Sequence, residues 1–459
     1  MPAITDVDEL QAMKDDLNGT YWLANDIDAS ATSGWNGGAG FDPVGDNVTP
    51  FEGNFDGKEY VITGLFINRP TEYYCGLFGY VKTTAEIKNV GIVNCDITAQ
   101  RLSGALVGYN GDGANVSAIS DCYSTGAIKG SGTAWVGALG GLVGFNETAS
   151  TITDCYSTAT ITVTVTPVNA GLTTNLIGGL IGGNDGVVTD SYATGDITVT
   201  VMGAGDDAYS IGGFTGDHAD GSISGCYSTG NVTVSSEEFL GYVGGFIGDN
   251  SNTITKCFST GNVDVTATNT VFYIGGFAGL TFIGCDNCYA RGDVSATSAA
   301  LNSSEVGGFT GYVDGGETVE NCYSTGLITT TGTFTDVGGF CGKNDGTVTN
   351  CFWDTETSGT AVSDGGTGKT TAEMKTKATF TDATWDFIAI WGIHTTINDG
   401  YPFLWALLPE EGESPRLTVA IQEKITLESI RNIEMSARGR FRVSKDGNAV
   451  YRSRYARNV

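Results

Sequence analysis

The chain has 459 residues, with 68 glycines against only 8 prolines, and carries a formal charge of −29. This composition, rich in Thr, Val and Ile, favours many short strands joined by turns and gives an all-β class as the starting expectation. The negative charge repels nucleic acid phosphates and anionic membrane surfaces, and no apolar run approaches membrane-spanning length. Neither nucleic acid binding nor membrane insertion is therefore expected.

Residues 1–85 are predicted to form an N-terminal cap together with the first coils of an elongated repeat body. Asp6–Asp16 has the pattern of a short helix, which would cover strand edges that otherwise invite aggregation. The start, Met1–Asp6, has neither the basic nor the apolar region of a secretion signal, so secretion by that route is not expected.

Two motifs alternate through residues 86–351. The first reads hydrophobic-x-x-Cys-aromatic, and its Cys or Ser markers lie 27 to 36 residues apart, at Cys95, Cys122, Cys155, Ser191, Cys226, Cys257, Cys288, Cys322 and Cys351. The second is a Gly-Gly-hydrophobic-x-Gly segment between successive markers, as at Gly244–Gly248. The period is too short for a propeller blade and lacks helical periodicity, so each repeat is predicted to be one coil of a β-solenoid.

A right-handed parallel β-helix of about nine coils with capped ends follows from this repeat, with three strands in each coil. Ile254 and Cys257 can both point inward only if the chain bends between them, and we expect that corner in every rung. The paired glycines allow tight corners or close backbone approach, and the repeated cysteines are expected to be free thiols stacked in the core.

Residues 352–409 are predicted to form a C-terminal cap, in which Trp353, Trp385, Trp391, Phe403 and Trp405 seal the open end of the core. Residues 410–459 are predicted to be a linker and a basic anchoring module. Residues 416–459 hold ten basic and four acidic side chains, whereas residues 1–415 hold 13 basic and 48 acidic ones.

Within the basic module, Phe441–Ser444 and Ala449–Arg452 flank Lys445–Asn448 and predict a β-hairpin with Asp-Gly at its turn. Its arginines can form bidentate pairs with carboxylates on a protein partner. The expected anchoring residues are Arg438, Arg440, Arg442, Arg452, Arg454 and Arg457.

The repeats resemble the GLUG-repeat family, whose Gly-Leu-hydrophobic-Gly core appears at Gly76–Gly79 and Gly141–Gly144. The resemblance extends to an entry segment at Phe51–Gly57 and an exit segment at Phe352–Gly359, and covers roughly residues 1–408. It implies a parallel β-helix of the kind found in large surface and adhesion-type proteins, but it brings no catalytic residues with it.

Several motifs that suggest chemistry have a simpler structural interpretation. Gly365–Thr370 lacks the first glycine of a phosphate loop, and Thr370 with Glu373 has the spacing of a helix capping box. His218 and His394 are too few for a zinc site, and Cys285 with Cys288 forms an isolated pair. No metal or other cofactor is expected.

Two features leave glycan chemistry open. Turn carboxylates, namely Asp112, Asp185, Asp217, Asp249 and Asp345, could serve a glycosidase or bind calcium, but the sequence selects no pair among them. Tyr123, Tyr156 and Tyr227 either pack between rungs, which is the favoured interpretation, or stack against sugars.

The preferred hypothesis for function is a non-enzymatic virion structural protein: a phage fibre, spike or decoration protein on the virion surface. Its β-helix would serve surface or host-glycan attachment, and residues 416–459 would bind capsid or tail proteins. Resembling spike architectures imply a homotrimer. The alternatives are a prokaryotic cell-surface adhesin, which places the chain outside or on the cell, and a glycan-degrading tailspike.

Overall fold

The structure is a computed structural model that describes residues 3–82, 84–132, 136–165, 173–202, 207–237, 240–300, 303–407, 439–443 and 449–453. The chain passes in turn through three parallel sheets, and the strands of each sheet pair in parallel with their equivalents in the next coil. Contacts divide it into two units, Met1–Pro402 and Phe403–Val459. The predicted parallel β-helix is confirmed.

The strands of the first sheet are Ala3–Ile4, Thr20–Leu23, Asn54–Asp56, Glu86–Lys88, Ala118–Ser120, Thr151–Thr153, Val187–Thr189, Ser222–Ser224, Thr253–Thr255, Cys285–Asp286, Thr318–Glu320 and Thr347–Thr349. Those of the third sheet are Phe78–Val81, Val107–Asn110, Val143–Asn146, Ile181–Asn184, Thr215–His218, Ile247–Asn250, Ala278–Thr281, Thr310–Val313 and Cys341–Asn344. The nine strands of this sheet, counted over the described residues, agree with the prediction of about nine coils.

The second sheet lies between them along the chain and holds up to four strands per coil. These are Ile27–Asp28, Val61–Thr63, Phe66–Cys75, Gly91–Ser103, Tyr123–Gly132, Val136–Gly140, Tyr156–Ser157, Thr160–Val165, Thr173–Gly178, Tyr192–Ala193, Ile197–Val201, Asp207–Ala208, Ile211–Gly212, Tyr227–Ser228, Val232–Ser236, Leu240–Gly244, Phe258–Ser259, Val263–Ala267, Val271–Gly275, Tyr289–Ala290, Val294–Ser298, Ser303–Gly307, Tyr323–Ser324, Ile328–Thr331, Phe334–Gly338, Phe352–Asp354 and Thr367–Lys369.

Short helices occur at both ends of the solenoid. Helix α1, Val7–Gln11, continues into a 3₁₀ turn, Ala12–Asp15, and begins at Asp6, whose carboxylate accepts a hydrogen bond from the amide of Glu9. Leu10 and Met13 on this segment are fully buried, so the predicted N-terminal helix is confirmed. The other helical segments are the 3₁₀ segment Ser30–Gly38, α2 at Thr371–Met374, α3 at Lys377–Thr381 and the 3₁₀ turn Trp405–Leu407.

The core is built from ladders of equivalent residues, one from each coil. Ile254 and its equivalents form one, Cys257 and its equivalents a second, and Phe246 and its equivalents a third, whose rings stack 4.7–4.9 Å apart. All eleven cysteines are buried and free, which confirms their predicted role. Each stacked aromatic pair contributes about 0.5–1.5 kcal/mol beyond the burial of its area.

The bend expected between Ile254 and Cys257 is present, and both side chains are fully buried. Lys256 lies between them with φ of 55°, in the left-handed region. The same conformation recurs in the equivalent positions of other coils, at Asn89, Asp121, Asp154, Asp190, Gly225, Asn287, Asn321 and Asn350.

The paired glycines act through close backbone approach. A Cβ atom on Gly245 would overlap the carbonyl oxygen of Gly276, and one on Gly276 would overlap that of Gly308. Since these glycines stack on one another from coil to coil, any side chain there would push neighbouring coils apart. Their predicted architectural role is confirmed.

The sequence had suggested that the C-terminal tryptophans all seal the end of the core, but they do not. Trp353 pairs with Ser324 at the last coil, whereas the Trp391 ring lies 6.2 Å from that of Tyr289 and 6.1 Å from that of Tyr323. Because these tyrosines belong to successive coils, Trp391 covers the side of the solenoid. Trp405 keeps 44% of its surface exposed, so its predicted sealing role is wrong.

Two separate two-stranded sheets follow along the chain. Trp391–His394 and Ile397–Leu404 form one two-stranded sheet. Gly439–Val443 and Ala449–Ser453 form an antiparallel hairpin in which Arg440 pairs with Arg452 and Arg442 with Val450. The predicted C-terminal hairpin is thus confirmed, while its expected Asp-Gly turn at 445–448 lies outside the described residues, as do Arg438, Arg454 and Arg457.

Candidate functional site: a lateral seam of tyrosines and carboxylates

Two columns of mostly half-buried side chains meet along one side of the solenoid, where the second sheet ends and the third begins. The first column comes from the last strands of the second sheet in each coil, and in one coil from Ser210, just before such a strand: Tyr74, Leu102, Ala138, Leu176, Ser210, Tyr242, Tyr273, Glu305 and Asp336. The second comes from the third residue of each third-sheet strand: Tyr80, Tyr109, Phe145, Gly183, Asp217, Asp249, Leu280, Tyr312 and Lys343. We call these two columns the lateral seam.

The two columns touch because glycine brings their strands together. The rings of Tyr273 and Tyr312 lie 5.0 Å apart across the seam. Next to Tyr312, a Cβ on Gly311 would lie only 2.6 Å from the amide nitrogen of Ile274. The last glycine of the repeated motif therefore creates the seam, since a larger residue would separate the columns.

Aromatic rings dominate the N-terminal third of the seam. Tyr80 stacks on Tyr109 at 4.7 Å, Tyr109 stacks on Phe145 at 5.3 Å, and Tyr74 meets Tyr80 edge-on at 5.3 Å. The Tyr109 hydroxyl donates a hydrogen bond to the Glu147 carboxylate. Tyr74 therefore stands at an angle to the stacked rings, whose inner member, Tyr109, has a neighbour on both faces.

Two carboxylates occupy the middle of the seam. Asp217 and Asp249 are direct partners on neighbouring strands, which lie about 4.8 Å apart. Neither pairs with a lysine or arginine in the described part of the chain, and Asp249 Oδ1 is enclosed there without a hydrogen-bond partner. The arrangement leaves two neighbouring half-buried acids without a counter-charge.

Burial raises the pKa values of these acids. The pKa of Asp217 rises to about 7, mainly through burial and then through repulsion from Asp249 and Asp185. Burial raises the pKa of Asp249 to about 6. Asp185, on the turn after Ile181–Asn184, has a pKa of about 6 through burial and repulsion from Glu147. This part of the seam can therefore hold or release protons near neutral pH.

A further acid lies towards the C-terminal end of the seam. Glu305 is only 9% exposed, and its Oε2 has no hydrogen-bond partner among the residues described. Burial raises its pKa. Nearby, the Tyr312 hydroxyl donates to Asp345 Oδ2 at 2.8 Å, and the Lys343 ammonium lies 5.9 Å from the Tyr312 ring.

The turn carboxylates suggested by the sequence separate into two groups. Asp185, Asp217 and Asp249 lie close together at the seam, and Asp345 accepts a hydrogen bond from Tyr312. Asp112 instead accepts hydrogen bonds from the amides of its own turn, at Ala114 and Asn115. Sequence reasoning missed Tyr74, Tyr109 and Glu305, although their fixed offset from the glycine motif was a signal that could have found them.

Other sequence candidates have structural roles. His218 is fully buried and contacts Asn184 through Nδ1, whereas His394 is exposed. Cys285 and Cys288 belong to two different core ladders, and burial raises the pKa of Cys285 well above its usual value. Thr370 and Glu373 form the predicted capping box at the start of α2.

Tyr123, Tyr156, Tyr192 and Tyr227 form a continuous stack, which confirms the favoured interpretation of these residues. Neighbouring rings lie 4.7–4.8 Å apart and are tilted by no more than 5°. Since each inner ring has a neighbour on both faces, it offers only its edge to solvent. Face-to-face stacking with a sugar is therefore blocked along this stack.

The described helices include none long and apolar enough to span a bilayer. Among the described side chains, no group of three or more His, Cys, Asp or Glu residues is arranged to hold a metal ion.

The fold defines the class of the protein as a parallel β-helix with one sequence repeat per coil. The GLUG motif matches residues 136–162, 173–200 and 207–233, each of which spans strands of successive coils. Three repeats of the chain are accordingly GLUG motifs, as the sequence predicted.

Two relatives are each 38% identical to this chain. One, which carries the name Gly-rich membrane protein and comes from Evansella cellulosilytica, aligns over 394 residues, 83% of this chain and 41% of its own length. The other, halomucin from Haloquadratum walsbyi, aligns over 122 residues, 26% of this chain and 1% of its own length. The chain thus spans less than half of each relative.

Two solved structures share low similarity with the chain. A Bacteroides ovatus protein described as an immunoglobulin A1 protease covers 88% of this chain and 91% of its own, at 18% identity and a TM-score of 0.41. The A-module of the Azotobacter vinelandii mannuronan C-5 epimerase AlgE4 covers 80% and 96%, at 13% identity and a TM-score of 0.27.

Proposed function

We propose that this chain is a non-enzymatic, surface-displayed β-helix that binds a linear glycan along the lateral seam. The observation that carries the proposal is the seam itself, in which aromatic rings and carboxylates recur along a continuous line of stacked coils. The edges of the stacked rings offer apolar surface and tyrosine hydroxyls to sugars, and carboxylates accept hydrogen bonds from sugar hydroxyls. A ligand with a repeated unit matches a site with a repeated unit.

The names of the two relatives support display at a cell surface. One is called a membrane protein and the other a halomucin. This favours the adhesin alternative over the virion hypothesis, which stays a prediction because neither relative is named as a virion protein. We expect a prokaryotic cell-surface location.

Binding to a glycan panel tests this function. The wild-type protein should bind at least one linear glycan, and a Tyr242→Ser, Tyr273→Ser double variant should lose at least about tenfold in affinity, or about 1.4 kcal/mol. Tyr60→Ser is the matched control, because Tyr60 is exposed and lies outside the seam. Retained binding by the folded double variant, or no binding by the wild type, would refute the proposal.

The basic C-terminal module is proposed to anchor the chain to an acidic protein partner through Arg438, Arg440, Arg442, Arg452, Arg454 and Arg457. Its support is the separation of charge, with ten basic side chains in residues 416–459 of an otherwise acidic chain. A version ending at Glu413 should stay folded but no longer associate with cells or particles from the native source. Unchanged association would exclude this role.

Asp217 and Asp249 support a second candidate function, glycoside hydrolysis. Their strand spacing of about 4.8 Å approaches the roughly 5–5.5 Å between the two carboxyl groups of retaining glycosidases. One acid would protonate the leaving glycosidic oxygen and the other would attack the sugar, before water released the product. Incubation with glycan hexamers and mass spectrometry tests this, because shorter products lost in Asp217→Asn would establish an enzyme.

A further inference from the structure

We infer that the glycan bound at the lateral seam carries amino groups, and that Asp217 and Asp249 select it over uncharged and acidic glycans. This inference rests on the proposed function and specifies the ligand class of the same site. Glu305 provides a second point of contact two coils further along.

The first argument is the missing counter-charge at the centre of the seam. Half-buried carboxylates are normally paired, because removing an ionised group from water without a partner is costly. Asp217 and Asp249 are direct neighbours, repel each other and have no basic partner within the described chain. A ligand ammonium placed between them would supply the missing charge and hydrogen bonds.

The second argument is the separate orphan acceptor at Glu305. Its side chain is more than nine-tenths buried, yet Oε2 has no partner in the described structure. Glu305 follows Tyr273 in the first column and lies beside Gly342, next to which Lys343 ends the seam. Ser304 hydrogen-bonds this carboxylate, but Oε2 lies without a donor near Tyr273, an arrangement that a ligand donor would complete.

The third argument concerns which cationic polymer fits. An extended peptide presents side chains on one side about every 6.6 Å and falls out of step with coils about 4.8 Å apart. A β-linked glycan advances by nearly one coil per sugar and stays in step along the seam. A metal ion is disfavoured, because the described residues offer no group of ligands arranged for one.

Calorimetry with three β-1,4-linked hexamers that differ only at carbon 2 tests the inference. The probes are the hexamers of glucosamine, N-acetylglucosamine and glucose, titrated near pH 7, where Asp249, whose pKa is about 6, is ionised. Measurements at ~0.01 M and ~1 M salt compare screening lengths of ~30 Å and ~3 Å. The proteins are the wild type, an Asp217→Asn, Asp249→Asn double variant, and Asp264→Asn, whose side chain is exposed on another strand.

The wild type should bind the glucosamine hexamer at least about tenfold more tightly than the other two, and high salt should remove that advantage. The double variant should lose the advantage but still bind the glucose hexamer, and Asp264→Asn should behave as the wild type. Equal affinity for the three hexamers overturns the inference but leaves glycan binding in place.

Two further outcomes would also overturn it. A lysine hexamer that binds as tightly as the glucosamine hexamer would show that the seam binds positive charge and does not require a sugar. Calcium ions that bind alone and displace the glucosamine hexamer would indicate a metal site instead. Failure of the proposed function is distinct, because then no glycan of the panel binds the wild type at all.

Discussion

At the scale of single residues, the corner between the first and second sheets requires a left-handed backbone. Asn, Asp or Gly occupies this position in most coils, and these residues tolerate the conformation best. Lys256 is the exception, with φ of 55°. The repeat therefore contains a local cost of about 1 kcal/mol at one coil.

Replacing Lys256 with Asn should raise the free energy of unfolding by about 1 kcal/mol, because Asn adopts the left-handed region at lower cost. Chemical denaturation measures this change. The reciprocal exchange, Asn350→Lys at the equivalent position of the last coil, should lower stability by a similar amount. An unchanged or reduced stability of Lys256→Asn would contradict the account.

The pKa of Asp217 gives a second residue-scale prediction. Its folded value of about 7 exceeds an unfolded value of about 3.9, so the folded state binds more protons between these limits. Stability should therefore fall as pH rises from about 4 to 7. Asp217→Asn should be more stable than the wild type by about 2 kcal/mol at pH 8 and nearly equal at pH 4.

Denaturant midpoints across that pH range measure the effect, with Asp264→Asn as the control because its side chain is exposed. Asp249 and Asp185 titrate in the same direction, so their responses will add to the wild-type curve. A pH-independent difference between the wild type and Asp217→Asn would show that Asp217 is not the group responsible.

At the scale of elements, a ladder of inward amides runs along the end of the third sheet. The side-chain amide of Asn110 donates a hydrogen bond to that of Asn146, and Asn146 donates one to Asn184. Both hydrogen bonds are 2.8 Å long. The next position is His218, whose Nδ1 lies 3.0 Å from Asn184 Nδ2 while its Nε2 has no partner in the described residues. The ladder is thus interrupted at one coil.

His218→Asn should restore the ladder and raise stability by about 1–2 kcal/mol, since it removes a buried unpartnered nitrogen. The gain should grow on acidification. Burial lowers the His218 pKa to about 4, so the unfolded wild type gains a proton first as pH falls below about 6.5. Thermal unfolding at pH 7 and pH 4.5 checks both statements, with exposed His394→Asn as control.

The glycine motif is the element that sets how closely the coils pack. Gly245→Ala should lower the free energy of unfolding by about 3 kcal/mol, because its Cβ would overlap the backbone of Gly276. Gly34→Ala is the matched control, since nothing lies within 4 Å of the added atom, and it should change stability by less than about 0.5 kcal/mol. Equal effects of the two substitutions would contradict this role.

At the scale of the whole molecule, the acidic solenoid and the basic module occupy separate parts of the chain. Met1–Pro402 forms one compact unit with its own ladders, and Phe403–Val459 forms another. A version ending at Glu413 should therefore unfold within about 2–4 °C of the full-length midpoint, a shift that corresponds to no more than about 1 kcal/mol. A larger loss of stability would show that the basic module supports the solenoid.

Much of the fold could be predicted from the sequence because one coil equals one repeat. The spacing of Cys257 and its equivalents gave the coil length, and the odd offset from Ile254 required a bend that the left-handed corner supplies. The position of Trp391 could not be predicted in this way. Its position in the chain suggested an end cap, but contacts with Tyr289 and Tyr323 place it on the side of the solenoid.

What the sequence by itself determined is the periodic part of this protein: the parallel coils, the buried thiols and the stacked rings, because each follows from a pattern repeated at a fixed spacing. Only the tertiary structure decided the seam. Tyr273 and Tyr312 lie 39 positions apart, and Asp217 and Asp249 lie 32 apart. Which side chains meet across the corner between the second and third sheets depends on how closely glycine lets these sheets approach. No single repeat specifies that distance.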